Sequence, residues 1–201
     1  MHISEGVLSL PVLAGGGVVA AAGVAVGLRK LDYEHIMTTA LLSSTFFVAS
    51  LVHVPIGPSS VHLILNGLVG LILGWAAVPA IAVALFLQAL LFGFGGVTVL
   101  GVNTVVMAGP AVVVYLLFRS WVREGGRKQL IGGFLAGALA VAMSGILVAV
   151  ALIGTDEAFL KTAQLILLAH IPIMLIEGVV TMFTVSFLSR VQPEILAIKK
   201  S

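Results

Sequence analysis

The 201-residue chain lacks cysteine and has few charged side chains. Without cysteine it cannot form disulfides, iron–sulfur clusters or thiolate zinc sites, so nitrogen or oxygen atoms must hold any bound metal. Charged residues make up 9% of the sequence and hydrophobic residues 60%, whereas soluble domains average about 25% charged residues. This composition predicts a polytopic, all-α membrane protein that forms a single transmembrane domain over residues 1–201.

Two catalytic signatures are also missing from the sequence, G-x-x-x-x-G-K-[ST] and H-E-x-x-H. The first would bind the phosphates of ATP, and the second would hold zinc in a metalloprotease. We therefore expect that the chain is not an enzyme and cannot hydrolyse ATP alone. The formal charge of +2 is best explained by membrane topology, and we expect no nucleic-acid partner.

Seven apolar stretches, each close to the length that crosses a bilayer, predict seven transmembrane helices. They lie at about residues 7–28, 36–54, 60–75, 78–94, 104–118, 130–153 and 159–188, after an N-terminal segment of residues 1–6. The short third and fifth stretches follow the irregular segments 57–60 and 101–103. Non-helical backbone in a membrane is tolerated where it lines a cavity, so we expect a pocket on that side.

The basic residues predict the orientation of the chain. If the N-terminus is extracytoplasmic and the C-terminus cytoplasmic, nine of the ten Lys and Arg residues lie inside, and only Lys161 lies outside. This distribution follows the positive-inside rule.

The sequence begins with Met1-His2, which places an imidazole next to the α-amine. The amine, the His2 backbone nitrogen and His2 Nδ1 can close two chelate rings in one plane, the geometry that Ni(II) and Cu(II) prefer. These ions can displace the amide proton, whereas Zn(II), with no d-electron preference, does not. The two residues therefore predict three nitrogen ligands of a planar metal site.

The fourth corner of that plane needs another neutral donor, and the predicted topology brings two more histidines to the same outer face. We favour His62, because the turn at residues 57–60 can aim it at the terminus, and His53 is the competitor. Ser59, Ser60 and Asn103 have two interpretations that stay open. They either hold the ligands by hydrogen bonds or cap helices.

The predicted seventh helix carries His170 and, two turns further on, Glu177, the one acidic residue deep in a predicted membrane segment. A charge within the membrane costs at least about 2.5 kcal/mol, so Glu177 needs a partner or a proton. The pair is a candidate ion pathway or gate. It also supports an alternative function, a proton- or cation-coupled secondary carrier that uses these two residues.

Several segments of the sequence resemble the CbiM/NikM family, the substrate-binding membrane subunits of energy-coupling-factor (ECF) importers for cobalt and nickel. The opening MHISEG is similar to the family's MHI-x-[DE]-G. The resemblance continues, in order, through segments 52–62, 88–90, 95–104 and 170–178.

This resemblance implies a seven-helix fold whose N-terminus plugs an outer pocket. It implies a metal ion bound by the Met1 amine, the His2 amide and imidazole, and His62. Many cobalt-type members have histidine where this chain has Phe94, and many have Ser-Ser-Ser-His where this chain has Ser59-Ser60-Val61-His62. We favour Ni(II) as the transported ion, with Co(II) as the alternative.

The resemblance also implies partners and a location. The partners are an ECF coupling membrane subunit, two cytoplasmic ATPase subunits and often a small accessory membrane subunit. The location is the inner (cell) membrane of a prokaryote.

Overall fold

The computed structural model describes residues 2–51, 53–56 and 59–196, with side chains described outside positions 52–61. Four predicted site groups fall outside this part, namely Met1 and the side chains of His53, Ser59 and Ser60. All structural statements below concern the described residues.

Helices make up most of the described chain. They are α1 (Leu10–Arg29), α2 (Ile36–Ala49), α3 (Asn66–Leu73), α4 (Ala77–Phe92), α5 (Leu100–Glu124), α6 (Gly126–Ile153) and α7 (Leu160–Val191). Among the described residues, five stretches are long and apolar enough to cross a membrane, Leu10–Arg29, Asn66–Phe92, Leu100–Glu124, Gly126–Ile153 and Glu157–Val191. The architecture is therefore that of a helical membrane protein, as the composition predicts.

A β-hairpin replaces part of two predicted helices. Strand β1 (His53–Ile56) pairs antiparallel with strand β2 (Ser59–His62). The predicted helix 36–54 therefore ends at Ala49, and the predicted helix 60–75 begins only at Asn66. Pro55 helps to explain the difference, because proline lacks a backbone N–H and disfavours helical backbone at the preceding residue. The all-α prediction thus needs one correction, a two-stranded hairpin within a helical bundle.

The fifth helix is longer than the sequence predicted. It runs from Leu100 to Glu124, whereas the apolar stretch covers only residues 104–118. The extra C-terminal turns contain Arg119, Arg123 and Glu124, which are good helix formers despite their charge. An apolar criterion stops at the first charged residues, and this helix continues beyond them.

The chain reverses direction between α3 and α4, at the 3-10 turn Gly74–Ala76. His62, just before α3, and Gln88, near the end of α4, both contact His2. One continuous helix would separate positions 62 and 88 by about 39 Å at 1.5 Å per residue. The 27-residue apolar stretch Asn66–Phe92 is therefore two arms joined by a turn, and both arms lead back to the N-terminal segment.

Two glycines let α3 approach its neighbours closely. A Cβ atom at Gly67 would lie 2.6 Å from the carbonyl oxygen of Ala136 in α6, and one at Gly70 would lie 2.1 Å from that of Ala111 in α5. Any larger residue would push these helices apart, as at the small-residue contacts typical of membrane bundles. The short helix α3 is therefore held inside the bundle, just after the segment that carries His62.

Candidate metal-binding site

The N-terminal segment enters the interior of the protein. The exposed fraction of His2 is 5% and that of Ile3 is 0%, and Ile3 belongs to the main hydrophobic core. Chain ends are usually poorly ordered unless contacts tie them down. The burial of these two residues therefore indicates that specific contacts hold this segment.

The side chain of Asn103, in the first turn of α5, binds the backbone of Ile3. Its Oδ1 accepts the Ile3 N–H at 2.9 Å, and its Nδ2 donates to the Ile3 carbonyl at 3.2 Å. The two bonds are like those that paired residues exchange in an antiparallel sheet. Helix α5 has no side-chain cap at its N-terminus. Of the two interpretations of Asn103, the structure thus supports a hydrogen bond to the N-terminal segment.

The loop between α4 and α5 also contacts the N-terminal segment. The Glu5 carboxylate accepts the backbone N–H of Thr98 at 2.9 Å. Hydrogen bonds from the backbone and then the side chain of Thr98 hold the pKa of Glu5 below its ordinary value. Gly95 and Gly96 have φ angles of +73° and +111°. A Cβ at Gly95 would lie 2.7 Å from Asn103 Nδ2, and one at Gly96 would lie 2.0 Å from Glu5 Cγ. Gly95 and Gly96 therefore leave the space that the N-terminal segment and Asn103 occupy beside this loop.

Gln88 of α4 sets the tautomer of His2. Its amide nitrogen donates to the Phe47 carbonyl at 3.1 Å and to the Ser50 hydroxyl. A carbonyl can only accept, so the amide oxygen must face His2, where it lies 2.7 Å from Nε2. His2 therefore carries its proton on Nε2, and the lone pair of the neutral ring is on Nδ1. Nδ1 is the atom that the planar chelate requires.

His62 has the opposite tautomer. Its Nδ1 lies 2.7 Å from the carbonyl oxygen of Leu63, and because that oxygen only accepts, Nδ1 carries the proton. The lone pair of the neutral ring is then on Nε2. His62 is 3% exposed, so this donor atom is inside the protein with His2.

The distance between the two imidazole rings fits a shared metal ion. Their centroids are 4.9 Å apart. Imidazoles at neighbouring corners of a square plane, each about 2 Å from the metal, have centroids roughly 4.5 Å apart, and at opposite corners roughly 6 Å. The observed spacing is closer to neighbouring corners, as expected if His62 completes a plane that already contains His2 Nδ1.

Aromatic side chains form a wall beside His2. The Phe94 ring centroid is 5.9 Å from that of His2, Phe92 is 5.6 Å from Phe94, and Phe47 is 5.7 Å from Phe92. These rings offer no lone pair to a metal. Phe94 thus places an apolar ring on one side of the imidazole, and an apolar neighbour favours a low number of ligands.

The hairpin relates the two candidates for the fourth ligand. His53 is directly opposite His62 in the antiparallel register, and Ser60 and Ser59 are opposite Pro55 and Ile56. The described side chains contain no cluster of three or more His, Cys, Asp or Glu residues that could hold a metal ion. The described donors of the predicted site are thus the backbone nitrogen of His2 and the imidazoles of His2 and His62.

His170 and Glu177 of α7 bind backbone groups and not each other within the described part. His170 Nδ1 donates to the Ile166 carbonyl at 2.6 Å, and its Nε2 has no hydrogen-bond partner among the described residues. Glu177 Oε1 accepts the backbone N–H groups of Ile64 and Leu65. The carboxylate therefore contacts the segment that follows His62.

Gln88 was not among the site residues predicted from the sequence. Its signal was present, because it is the only strongly polar residue in the apolar run of α4. A buried amide in a membrane helix needs partners. The sequence alone, however, does not reveal that one of those partners is His2.

The fold and the site together define a helical membrane protein with two buried, closely spaced histidines beside its N-terminus. The pattern of the CbiM family, described as the cobalt uptake substrate-specific transmembrane region, matches residues 2–195. The chain therefore belongs to this family, as the resemblance of its motifs predicted.

Known proteins agree with this assignment. A Haemophilus influenzae protein named for metal transport is 44% identical over 98% of this chain and 97% of its own length. The fused nickel transport protein NikMN of Rhodobacter capsulatus is 35% identical over the whole chain, which matches 65% of that longer protein. A crystal structure of a transition metal transporter has a TM-score of 0.85 and 29% identity, covering 95% of this chain and 93% of the other.

Proposed function

We propose that this protein is the substrate-capture subunit of an ECF-type importer for a transition metal, and that its cargo is Ni(II), with Co(II) as the alternative. The observation that carries the proposal is the buried pair of His2 and His62, whose rings lie 4.9 Å apart. The family's description names cobalt uptake, and one relative is named for nickel transport.

In this proposal four nitrogen atoms bind the ion in one plane. They are the Met1 amine, the backbone nitrogen and Nδ1 of His2, and Nε2 of His62. The tautomers support this set, because the hydrogen bonds of both histidines leave the required ring nitrogen with its lone pair. The apolar wall that includes Phe94 favours four-coordinate Ni(II) over ions that take more ligands.

We further propose seven membrane crossings, with the N-terminus outside and the C-terminus inside. The reversal at Gly74–Ala76 supports this count, since it makes α3 and α4 parts of two crossings. In this proposal α2 and strand β1 belong to the second crossing, and strand β2 and α3 belong to the third. The distribution of Lys and Arg supports the orientation.

Energy for import comes, in this proposal, from partners in the inner membrane of a prokaryote. An ECF coupling membrane subunit, two cytoplasmic ATPase subunits and a small accessory membrane subunit complete the importer. Family membership supports this composition, as does a sequence without an ATP-binding loop.

A secondary carrier that uses His170 and Glu177 has less support. The Glu177 carboxylate accepts two backbone N–H groups, and His170 is bonded to its own helix. Both residues thus already have structural bonds.

The first experiment adds two alanines before Met1 and measures Ni(II) and Co(II) binding by calorimetry on the purified protein. The extension moves the amine away from His2 and breaks the chelate, so high-affinity binding should disappear. A variant with the same two alanines after Ser201 is the matched control, and mass spectrometry verifies each terminus. Full affinity in the N-terminally extended protein would contradict the proposed ligand set.

A second experiment separates the two candidates for the fourth ligand. His62→Ala should weaken Ni(II) binding and change its absorption spectrum, whereas His53→Ala should leave both close to the wild type. The reverse result would assign the fourth corner to His53.

A further inference from the structure

Glu177 is a buried carboxylate in the middle of α7. Its exposed fraction is 0%, and its backbone is held against α6, where a Cβ at Gly137 would lie 2.4 Å from the Glu177 carbonyl oxygen. The side chain therefore extends from a fixed point. Its Oε1 accepts the N–H of Ile64 and, at 2.8 Å, the N–H of Leu65.

One peptide group connects Glu177 to His62. The peptide between Leu63 and Ile64 donates its N–H to Glu177 Oε1, and its carbonyl accepts the proton of His62 Nδ1 at 2.7 Å. A peptide group is planar and rigid, so the position of the carboxylate sets the direction of the carbonyl. Hydrogen bonds in such a chain also polarise one another.

The backbone at this point needs an external support. Leu65 has a φ angle of +56° and is the only non-glycine residue with positive φ in the described part of the chain. An L-residue with a side chain rarely adopts this conformation. Leu65 is also the residue that precedes α3, and it offers no side-chain cap. Glu177 supplies from another helix the acceptor that this turn lacks.

We propose that Glu177 is a positioning residue for the metal ligand His62, and that it acts through the Leu63–Ile64 peptide. The inference rests on the proposed function, because it gives His62 the role of fourth ligand. Glu177 fixes the ring orientation and keeps the proton on Nδ1, so that Nε2 faces the cargo. The carboxylate does not itself bind the ion.

This role requires a side chain that carries a hydrogen-bond acceptor and is long enough to reach the Leu63–Ile64 peptide. Glu177→Gln keeps a carbonyl oxygen and should bind Ni(II) nearly as well as the wild type. Glu177→Met keeps the volume and removes the acceptor. Glu177→Asp keeps a buried carboxylate, but its side chain is shorter by one methylene. It should therefore lose the hydrogen bonds to the N–H groups of Ile64 and Leu65.

The experiment titrates Ni(II) into the purified full-length variants and records affinity and absorption spectrum. We expect Glu177→Met to weaken binding by about 10- to 100-fold, as is typical for groups that orient a ligand, and to give the spectrum of His62→Ala. Glu177→Asp should change in the same direction by a smaller factor. Thr181→Val is the matched control, since Thr181 is equally buried one turn further along α7 and its hydroxyl has no partner in the described part.

A double-mutant cycle tests whether Glu177 acts through His62. Once His62 is alanine, adding Glu177→Met should cause no further loss of affinity, because the two changes remove one interaction. Additive losses would overturn the inference, and so would a wild-type spectrum in both Glu177→Met and Glu177→Asp.

If Glu177→Met does not fold, as judged by its melting temperature, Glu177→Asp alone decides. Equal losses of Ni(II) affinity in Glu177→Gln and Glu177→Met would also overturn the inference. Such a result would mean that binding requires the negative charge of Glu177 and not its hydrogen-bond acceptor.

The two levels of proposal can fail separately. If the N-terminally extended protein and His2→Ala bind Ni(II) normally, the proposed function fails whatever the Glu177 variants do. If those two variants lose binding while Glu177→Met and Glu177→Asp keep it, only the positioning role fails.

Discussion

The amide of Asn103 pairs with both backbone groups of Ile3, across 100 positions of sequence. This pairing holds the residue after His2 at a fixed place in the bundle. The backbone of Ile3 is thus hydrogen-bonded as in a β-strand, except that a side-chain amide takes the place of the neighbouring strand.

Replacing Asn103 with leucine should therefore weaken metal binding. The substitution keeps the volume but leaves a buried N–H and a buried carbonyl of Ile3 unpaired, at about 1–3 kcal/mol for each group. A loss of this size corresponds to at least about tenfold in affinity, measurable by Ni(II) calorimetry. Ser44→Ala, which removes a hydroxyl bonded only within α2, is the control. Unchanged affinity in Asn103→Leu would show that the segment is held by other contacts.

Glycine substitutions in the loop between α4 and α5 separate backbone strain from steric conflict. Gly93, Gly95 and Gly96 all have positive φ, so alanine costs about 1–2 kcal/mol of strain at each. A Cβ at Gly93 meets nothing within 4 Å, whereas one at Gly95 or Gly96 collides with Asn103 or Glu5. We expect the alanine variants at 95 and 96 to lose Ni(II) affinity, and the variant at 93 to lose only thermal stability. Equal behaviour of all three would contradict this explanation.

Much of the fold could be predicted from apolar runs, but the hairpin could not. The segment 53–62 is too short, and its pattern of apolar and polar residues too irregular, to distinguish a strand from a helix end. Pro55 and the Gly57-Pro58 pair indicated irregular backbone without specifying its form. The extra turns of α5 were missed because charged residues form helix well outside the membrane.

The sequence predicts those parts of the candidate site that consist of adjacent residues. It does not predict the contacts between residues that only the fold brings together. Met1 and His2 are adjacent in sequence, so their chelate could be predicted from ligand chemistry alone. The contacts of Glu177 could not, since its partners are backbone N–H groups that every residue except proline carries. A carboxylate in an apolar run indicated that a partner exists, but not which one.

Gln88 should control which nitrogen of His2 is available. Gln88→Met removes the acceptor that holds the Nε2 proton, so the tautomer with a lone pair on Nδ1 loses its support. We expect a loss of about 10- to 100-fold in Ni(II) affinity. Gln88→Glu keeps an acceptor and should lose less, although it gives up the bonds to Phe47 and Ser50. If both variants are equally affected, the anchoring of α2 matters more than the tautomer.

Metal binding should weaken as the pH falls from about 7.5 to 5.5, because protons compete with the metal ion for the imidazole lone pairs and for the amide nitrogen. The Glu5 contact does not contribute in this range. Its pKa is lowered from 4.5 by the Thr98 hydrogen bonds, so its contribution is present above 4.5 and is lost only below that pH. Glu5→Gln should therefore show the same pH profile as the wild type, and a flat profile in both would contradict the histidine ligands.

A substitution at Phe94 should change the preference of the site for Ni(II) over Co(II). Its ring lies 5.9 Å from that of His2, within the range of two imidazoles that share one ion. Phe94→His would add a nitrogen donor to a planar set, and additional ligands favour Co(II) relative to square-planar Ni(II). We expect the ratio of Ni(II) to Co(II) affinity, measured by competition on one sample, to fall. Phe92→His is the control, since Phe92 contacts Phe94 but makes no described ring contact with His2. A ratio that changes equally in both variants would mean that general polarity, and not a new ligand, alters the selectivity.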